Sequence, residues 1–362
     1  MDFRYSTEQD AFRASLSGFL CDAAPLAAVR QADGHDQQLW KRLCTELELP
    51  SLHIPLEYGG AGATLLEAAI VFSELGRSLT PVPLAANAFA IEAVLRTGDE
   101  EQRTRLLKGL LRGEQIGALA VAAPADCDPS SATVRAHRRR GDTLLTGASG
   151  PVLHGHVADL FIVPAVADGV VTFHVVAAGD PGVTVVRLPS FDLTRPVARL
   201  ELAQAPAEPL AECSPAQIDR VLDVARMLLA AEMLGGAEAC LDMAVEYACT
   251  RRQFGRPIGS FQAVKHACAD MMIEIDATRA AVMYAAMTAA NDHELRITGP
   301  LAKAQAADTF ALCAGSAIQV HGGIAFTWEH NLHLYFRRAT TTKALLGSST
   351  HHRALLADRA GL

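Results

Sequence analysis

The apolar positions of this chain follow three successive textures. From the N-terminus to about residue 118 they recur at helical spacing. Ser6-Thr7-Glu8-Gln9-Asp10 opens the first helix, with Thr7 as the expected N-cap and Asp10 three residues on. Leu65 to Leu79 keeps the helical period and stops at Thr80-Pro81-Val82-Pro83, because the residue before a proline is pushed out of the α region. Asp99-Glu100-Glu101-Gln102 opens another helix, expected to run to Gly113. Glu57-Tyr58-Gly59-Gly60-Ala61-Gly62 reads as the turn between two of these helices.

From about 119 to 208 short β-branched runs take over, punctuated by Asp, Gly and Pro. Leu160-Phe161-Ile162-Val163, Val170 to Val176 and Val183-Thr184-Val185-Val186 predict strands of a small sandwich or barrel. Residues 204 to 214, with Pro206 and Pro209 among alanines, read as a linker. From 215 the pattern is helical to the end, with one long helix on each side of Arg251 to Ser260. The organisation is therefore α+β: an N-terminal helical domain over 1–118, a middle β-domain over 119–208 and a C-terminal helical bundle over 215–362.

The most apolar stretch, Val221 to Ala248, is broken by Asp223, Arg226, Glu232, Glu238, Asp242 and Glu246. That spacing predicts a buried amphipathic helix, and no apolar run reads as long enough to span a membrane. Gly235-Gly236 inside it marks close approach by another helix, since glycine otherwise weakens a helix.

Composition narrows the classes of function. Half of the 362 residues are apolar and 20% are charged, as in ordinary globular proteins, and the length allows two or three cores. A net charge of −8 argues against nucleic acid as the main partner. Eight cysteines occur without CxxC pairs or His/Cys ligand spacing, so no metal site is expected. They read as reduced thiols, and the Met and Cys of the last bundle as core filler. Met1-Asp2-Phe3-Arg4-Tyr5 has no signal-peptide character, and the expected compartment is the cytoplasm.

Two motifs stand out. One is Arg251-Arg252-Gln253-Phe254-Gly255-Arg256-Pro257-Ile258-Gly259-Ser260-Phe261-Gln262. The other is Gln319-Val320-His321-Gly322-Gly323-Ile324-Ala325-Phe326-Thr327, at a distance that fits an antiparallel helix pair. Taken singly, an Arg-Arg pair is a solvated face and a Gly-Gly pair is a turn. Taken together, they resemble the flavin-binding signatures of the acyl-CoA dehydrogenase family, and the order of helices, β-domain and helical bundle matches that family's fold.

The resemblance implies an FAD site shared across a subunit interface, with these segments reaching toward the FAD held by a neighbour. Arg251 is then the candidate diphosphate ligand, because a guanidinium forks onto pyrophosphate oxygens. Phe254 offers a flat face to a ring, Gln262 an amide to the adenosine half, and Gln319 a hydrogen bond near the pyrophosphate. Gly322 and Gly323 let the backbone come close to the cofactor. Gln253, Phe261 and His321 complete the set.

The rest of the family's site is missing. Its dehydrogenases remove the α-proton of an acyl-CoA with a carboxylate while the β-hydride goes to the flavin. The base precedes a Gly-Thr/Ser-Ser/Thr turn, which here is Gly347-Ser348-Ser349 preceded by Leu346. No Asp or Glu occurs from Ala339 to Ala357. The alternative base position, one residue before a family arginine matched by Arg226, is Ala225; Asp223 is two residues off and points elsewhere. Neither leucine nor alanine takes a proton. The flavin-contacting loop, Thr-Glu-Pro-x-Ala-Gly-Ser-Asp in the family, reads Ala122-Ala123-Pro124-Ala125-Asp126-Cys127-Asp128-Pro129. A hydroxyl is lost at Ala122, Asp128 is expected to repel a flavin or pyrophosphate oxygen, and Pro129 has no N–H. The aromatic Trp-Ile-Thr cover reads Pro151-Val152-Leu153.

Residues donated to a neighbour survive and those serving the chain's own flavin do not. This pattern implies the non-catalytic subunit of an α2β2 acyl-CoA dehydrogenase. A base-bearing homologue would be the partner, an acyl-CoA (of the bulky steroid type that such bacterial heterotetramers use) the substrate, and electron-transfer flavoprotein the acceptor. Two alternatives remain open. One is a self-sufficient homo-oligomeric flavoenzyme with an unusual base, for which His351 and His352 are the candidates, although adjacent histidines on a terminal helix read more simply as surface or interface. The other is a degenerate structural homologue. Trp328 and Tyr335 read as interface packing, Arg337-Arg338 as structural ion pairs, and Arg226 as a relic or as the holder of a carbonyl.

Overall fold

The computed structural model describes residues 3–139 and 141–362; Met1 and Asp2, the start of the segment read as lacking a signal peptide, lie outside the described residues, as does Arg140. Six helices come first: α1 (Thr7–Ala23), α2 (Leu26–Gln31), α3 (Gln37–Thr45), α4 (Leu65–Ser78), α5 (Leu84–Thr97) and α6 (Glu100–Leu111). The first begins one residue earlier than expected. Ser6, not Thr7, is the N-cap; its hydroxyl accepts from the Gln9 amide, and the Gln9 side chain returns the bond to the Ser6 amide. Thr64 and Asp99 cap α4 and α6 with the same reciprocal pair. α4 ends where Leu79 adopts a left-handed conformation, ahead of Pro81.

Seven strands follow: β1 (Gly117–Leu119), β2 (Arg135–Arg139), β3 (Asp142–Leu153), β4 (Leu160–Ala167), β5 (Val170–Ala177), β6 (Val183–Leu188) and β7 (Val197–Pro209). β4 pairs β5 along its length and touches β2 at Val166–Arg135. With β2–β3, β3–β7 and β7–β5 paired, these five strands close on themselves as a barrel. β1 extends β4 and β6 extends β7. The expected linker over 204–214 is corrected in its first half. Residues 204–209 belong to β7, where Ala205, Pro206 and Ala207 pair with Leu145, Leu144 and Thr143 of β3. Pairing across the barrel overrides an Ala/Pro composition that carries no strand propensity of its own.

The C-terminal bundle is built on α7 (Pro215–Thr250), which is followed by a short ribbon, β8 (Arg252–Gln253) with β9 (Arg256–Pro257). Then come α8 (Gln262–Thr288), α9 (Asp292–His321), α10 (Leu332–Ala344) and α11 (Ser349–Ala360). α7, about 54 Å long at 1.5 Å per residue, is buried from Val221 to Cys240 on all sides. Its charged residues therefore do not form the solvent face expected of an amphipathic helix. Arg220, Asp223, Arg226, Glu232 and Glu238 are interior and paired, and exposed polar positions are confined to the start of the helix, at Asp219, and to the stretch beyond Glu238. The Gly235-Gly236 pair does what its place in a helix implied. A Cβ on Gly235 would lie 1.8 Å from the Ser73 carbonyl oxygen of α4, and one on Gly236 2.5 Å from the Phe310 ring of α9.

Among the described helices, one segment, Asp292–Phe326 with α9 at its heart, is long and apolar enough to cross a membrane by length and composition, which the sequence reading missed. In the fold α9 packs against α7, α8, α10 and α11. It also buries the Lys303 ammonium in the bundle.

The barrel is locked to the bundle by a buried ionic cluster that the sequence reading did not foresee. Arg338 of α10 reaches Glu232 of α7 at 2.6 Å and also binds Asp192 and Thr194 of the β6–β7 connection. Arg195 of that connection pairs with the same Glu232 and donates to the Thr342 hydroxyl at 3.1 Å. Every member is buried, so removing one would leave an uncompensated interior charge, at a cost of roughly 3–5 kcal/mol.

Candidate functional site

Two separate places matter: the ribbon that ends α7 with the turn that ends α9, and the crevice between barrel and bundle.

At the first place, Arg251 to Arg256 are exposed, and Phe254 is 91% exposed at the tip of the β8–β9 ribbon. Phe254 takes φ +52° and Gly255 φ +78°, the left-handed pair that turns the chain back. Neither the Arg251 guanidinium nor the side-chain amides of Gln262 and Gln319 have a described partner within the chain, and all three residues are exposed. Gln253 bonds the carbonyl oxygen of Arg252 at 2.8 Å. Arg256 lies 4.2 Å over the Phe261 ring, and Phe261 meets Phe254 edge-on at 6.1 Å. Gly322, at φ +66°, and Gly323 are exposed, and a Cβ on either would meet nothing within 4 Å.

His321 differs from the rest of its set. It is buried, donates from Nδ1 to the Ala317 carbonyl at 2.8 Å, and stacks on Tyr247 with ring centroids 4.2 Å apart. Burial pushes its pKa below the usual range, so at neutral pH it is an uncharged spacer between α7 and α9. The two donor motifs are thus brought together: Tyr247 stands four residues before Arg251, and His321 immediately precedes Gly322.

The crevice between barrel and bundle is a cavity of about 470 Å3. Ala122, Pro151, Leu153, Phe191, Thr342 and Leu345 are among its walls. The loop beside it is closed on itself. The Asp126 carboxylate accepts from the amides of both Ala122 and Ala123, at 2.7 and 2.9 Å. The expected role of Asp128 is corrected: it is exposed and accepts from the Ser130 amide and hydroxyl at 2.8 Å. The carboxylate that alters this loop is Asp126, two residues earlier. Cys127 is partly buried, and desolvation pushes its thiol up to about 12, so it is no nucleophile.

Leu346 is 2% exposed at φ +57°, and its amide donates to the Ala122 carbonyl at 2.9 Å. Ala225 is buried in α7. Asp223 does point elsewhere: Arg226 contacts it at 2.6 Å and Arg359 of α11 contacts both its oxygens at 2.9 Å. Burial outweighs both arginines and raises its pKa. Arg226 therefore holds a carboxylate, rather than being a relic or the holder of a carbonyl.

For His352 the histidine alternative meets a physical obstacle; His351 is half-buried, and burial lowers its pKa as well. His352 is fully buried, contrary to the surface reading, and neither ring nitrogen has a hydrogen-bond partner among the described residues. Burial, then Lys303 and Arg226, pushes its pKa to about 2. Such a ring is too weak a base to hold an abstracted proton at neutral pH. Tyr335 is also corrected, from interface to core: it is buried, with its hydroxyl on the Arg77 carbonyl at 2.5 Å. Trp328 is exposed. Arg338 forms ion pairs as expected, while Arg337 stacks over Phe191 at 4.8 Å and Trp328 at 5.5 Å. Among the described residues no group of three or more His, Cys, Asp or Glu is placed to hold a metal ion.

Comparison with known proteins follows the same lines. Residues 6–114 match the model of the acyl-CoA dehydrogenase N-terminal domain, and residues 216–361 that of the acyl-CoA dehydrogenase C-terminal domain. The chain is 38% identical over 347 residues to the acyl-CoA dehydrogenase IpdE2 of Mycobacterium tuberculosis, covering 94% of this chain and 93% of that one. Among solved structures it resembles the ChsE4-ChsE5 complex from Mycobacterium tuberculosis, with a TM-score of 0.91 and 29% identity over 100% of this chain and 99% of that one. It also resembles the Tcur3481-Tcur3483 steroid ACAD G363A variant, with a TM-score of 0.89 and 29% identity over 98% of each chain.

Proposed function

Because this chain belongs to the acyl-CoA dehydrogenase family of FAD-dependent oxidoreductases acting on CH–CH bonds, we propose that it is the non-catalytic subunit of a heteromeric acyl-CoA dehydrogenase. It would donate Arg251, Gln253, Phe254, Phe261, Gln262, Gln319, His321, Gly322 and Gly323 to an FAD held by a base-bearing homologue. Within that set His321 would act by spacing the two motifs, since it is buried in its own chain.

The observation that carries this reading is an asymmetry. On the donor side, a free guanidinium, two free amides, an exposed aromatic ring and an open Gly-Gly turn suit a pyrophosphate with ring systems at either end. On the chain's own side, the residues do not suit FAD. The amides of Ala122 and Ala123 are taken by Asp126, Ala122 has no hydroxyl, and an aliphatic residue fills position 346.

In the assembled enzyme bound FAD would supply a hydride acceptor, and the base-bearing partner would supply the carboxylate for the α-proton of the acyl-CoA. Arg251 of this chain would hold the pyrophosphate, and Phe254 would cover a ring and exclude water from that side. The pairing in an α2β2 assembly, a bulky steroid-type acyl group and electron-transfer flavoprotein as acceptor extend the same proposal, as does a cytoplasmic setting. The likeness to the ChsE4-ChsE5 complex and to a steroid enzyme of paired name supports the first two. The test is Arg251→Ala in the co-expressed pair. Loss of FAD from an intact pair is expected, and unchanged flavin content would count against donation across the interface.

A further inference from the structure

We infer that Arg30, in the N-terminal helical region, is a positioning residue for the donated FAD-binding turn. This rests on the trans-donation reading and adds a residue that neither motif contains. The segment after Gly322-Gly323 runs outward as an exposed turn with Phe326 and Trp328 largely uncovered, anchored on the core side by the buried Ala325. Arg30 reaches it from about 300 residues away in sequence. Its Nη1 donates to the Trp328 carbonyl, its Nη2 to the His330 carbonyl at 2.5 Å, and its Nε and Nη2 to Asn331 Oδ1 at 3.1 and 2.9 Å. One planar fork thus fixes three acceptors, on Trp328, His330 and Asn331, a geometry that a lysine ammonium does not reproduce.

The clamp is continuous with both donor motifs. The His330 ring meets His321 at 4.6 Å, and His321 stacks on Tyr247 at 4.2 Å. Tyr247 lies in the last turn of α7 before Arg251, and His321 is the last residue of α9 before Gly322. Arg30 therefore sets the far end of a stack whose near end fixes the two FAD-facing segments relative to each other. Arg30 itself touches no atom of the donor set, so it acts through the loop.

The experiment compares the co-expressed pair carrying wild-type chain, Arg30→Ala, Arg30→Lys, Asn331→Ala or Arg251→Ala. FAD retention is read from flavin fluorescence released on dilution of the intact pair, and amide hydrogen exchange is read over residues 322–331. Outer partners of metal ligands change metal affinity by roughly 10–100-fold; on the lower end of that scale Arg30→Ala should weaken FAD retention about tenfold and speed exchange over 322–331. Arg30→Lys should rescue little, and Asn331→Ala should move both readouts in the same direction by less. Asn331→Ala also serves if Arg30→Ala does not fold. Normal FAD retention or unchanged exchange in both Arg30→Ala and Asn331→Ala, with loss in Arg251→Ala, would overturn the role of Arg30 and leave trans-donation standing. Normal retention in Arg251→Ala as well would overturn the reading on which it rests.

Discussion

The Leu346 amide donates to the Ala122 carbonyl oxygen at 2.9 Å. The motif resemblance places the family's base and a flavin-contacting hydroxyl at these two positions. Here they are an aliphatic plug and a methyl group, tied to each other by main chain. On the proposed reading, the chain's own site has lost its chemistry and kept its scaffold. Leu346→Glu should therefore restore no dehydrogenation in the chain alone. It should instead cost about 3 kcal/mol in urea unfolding, because the new carboxylate enters a buried, positive-φ position with no assigned partner. Turnover of any acyl-CoA by that variant alone would contradict this account of the site.

Asp126 holds the neighbouring loop shut through two amide bonds. Asp126→Ala should lower stability by about 1–2 kcal/mol, since both amides lose a charged acceptor. Asp126→Asn should recover part of the loss. Equal stability of all three forms in denaturant would show that these bonds do not close the loop.

Gly235 and Ser73 mark where α7 and α4 touch. A methyl group at Gly235 would sit 1.8 Å from the Ser73 carbonyl oxygen. Gly→Ala in an open helix stabilises by up to about 1 kcal/mol, whereas Gly235→Ala should destabilise by about 3 kcal/mol or prevent folding. Thermal unfolding distinguishes the two signs directly.

Lys303 is fully buried with its ammonium on the Thr342 carbonyl at 3.1 Å. Burial, then the nearby Arg226, lowers its pKa to about 7. The unfolded chain keeps that proton up to about pH 10.4. Between about pH 7 and 10 the unfolded state therefore binds a proton that the folded state does not, and stability rises with pH across that window. Lys303→Met should flatten the rise, which urea midpoints from pH 6.5 to 10 would reveal. An unchanged slope in the variant would place the pH dependence elsewhere.

Much of this was legible from side-chain spacing. The helical period of Leu65–Leu79, the strands at 160, 170 and 183, and the Gly-Gly contact in α7 follow from local pattern alone. What was not legible depends on partners distant in sequence. Residues 204–209 become a strand because β3 pairs with them, not because of their composition. The charges of α7 are interior because Arg13, Arg195, Arg279, Arg338, Arg359 and Asp292 arrive from other elements to pair with them. The choice between Asp126 and Asp128 turned on which carboxylate the loop folds inward, a matter of backbone turn rather than residue type. Tyr335 reads as interface packing and His352 as surface or interface by sequence, and both are buried by the packing of α10 and α11. At the candidate site, the two motifs stood out by residue type and spacing, and in the fold Arg251, Gln262 and Gln319 keep exposed side chains with no described partner. Arg30 did not stand out, because its acceptors are backbone carbonyls and one amide about 300 residues away.

The most direct test of the central claim is the visible flavin spectrum of the purified chain, alone and co-expressed with a base-bearing homologue. The account predicts a colourless chain alone and a yellow pair with one FAD per heterodimer, because each chain supplies part of one site and FAD binding is linked to assembly. Full FAD occupancy in the chain alone would contradict it.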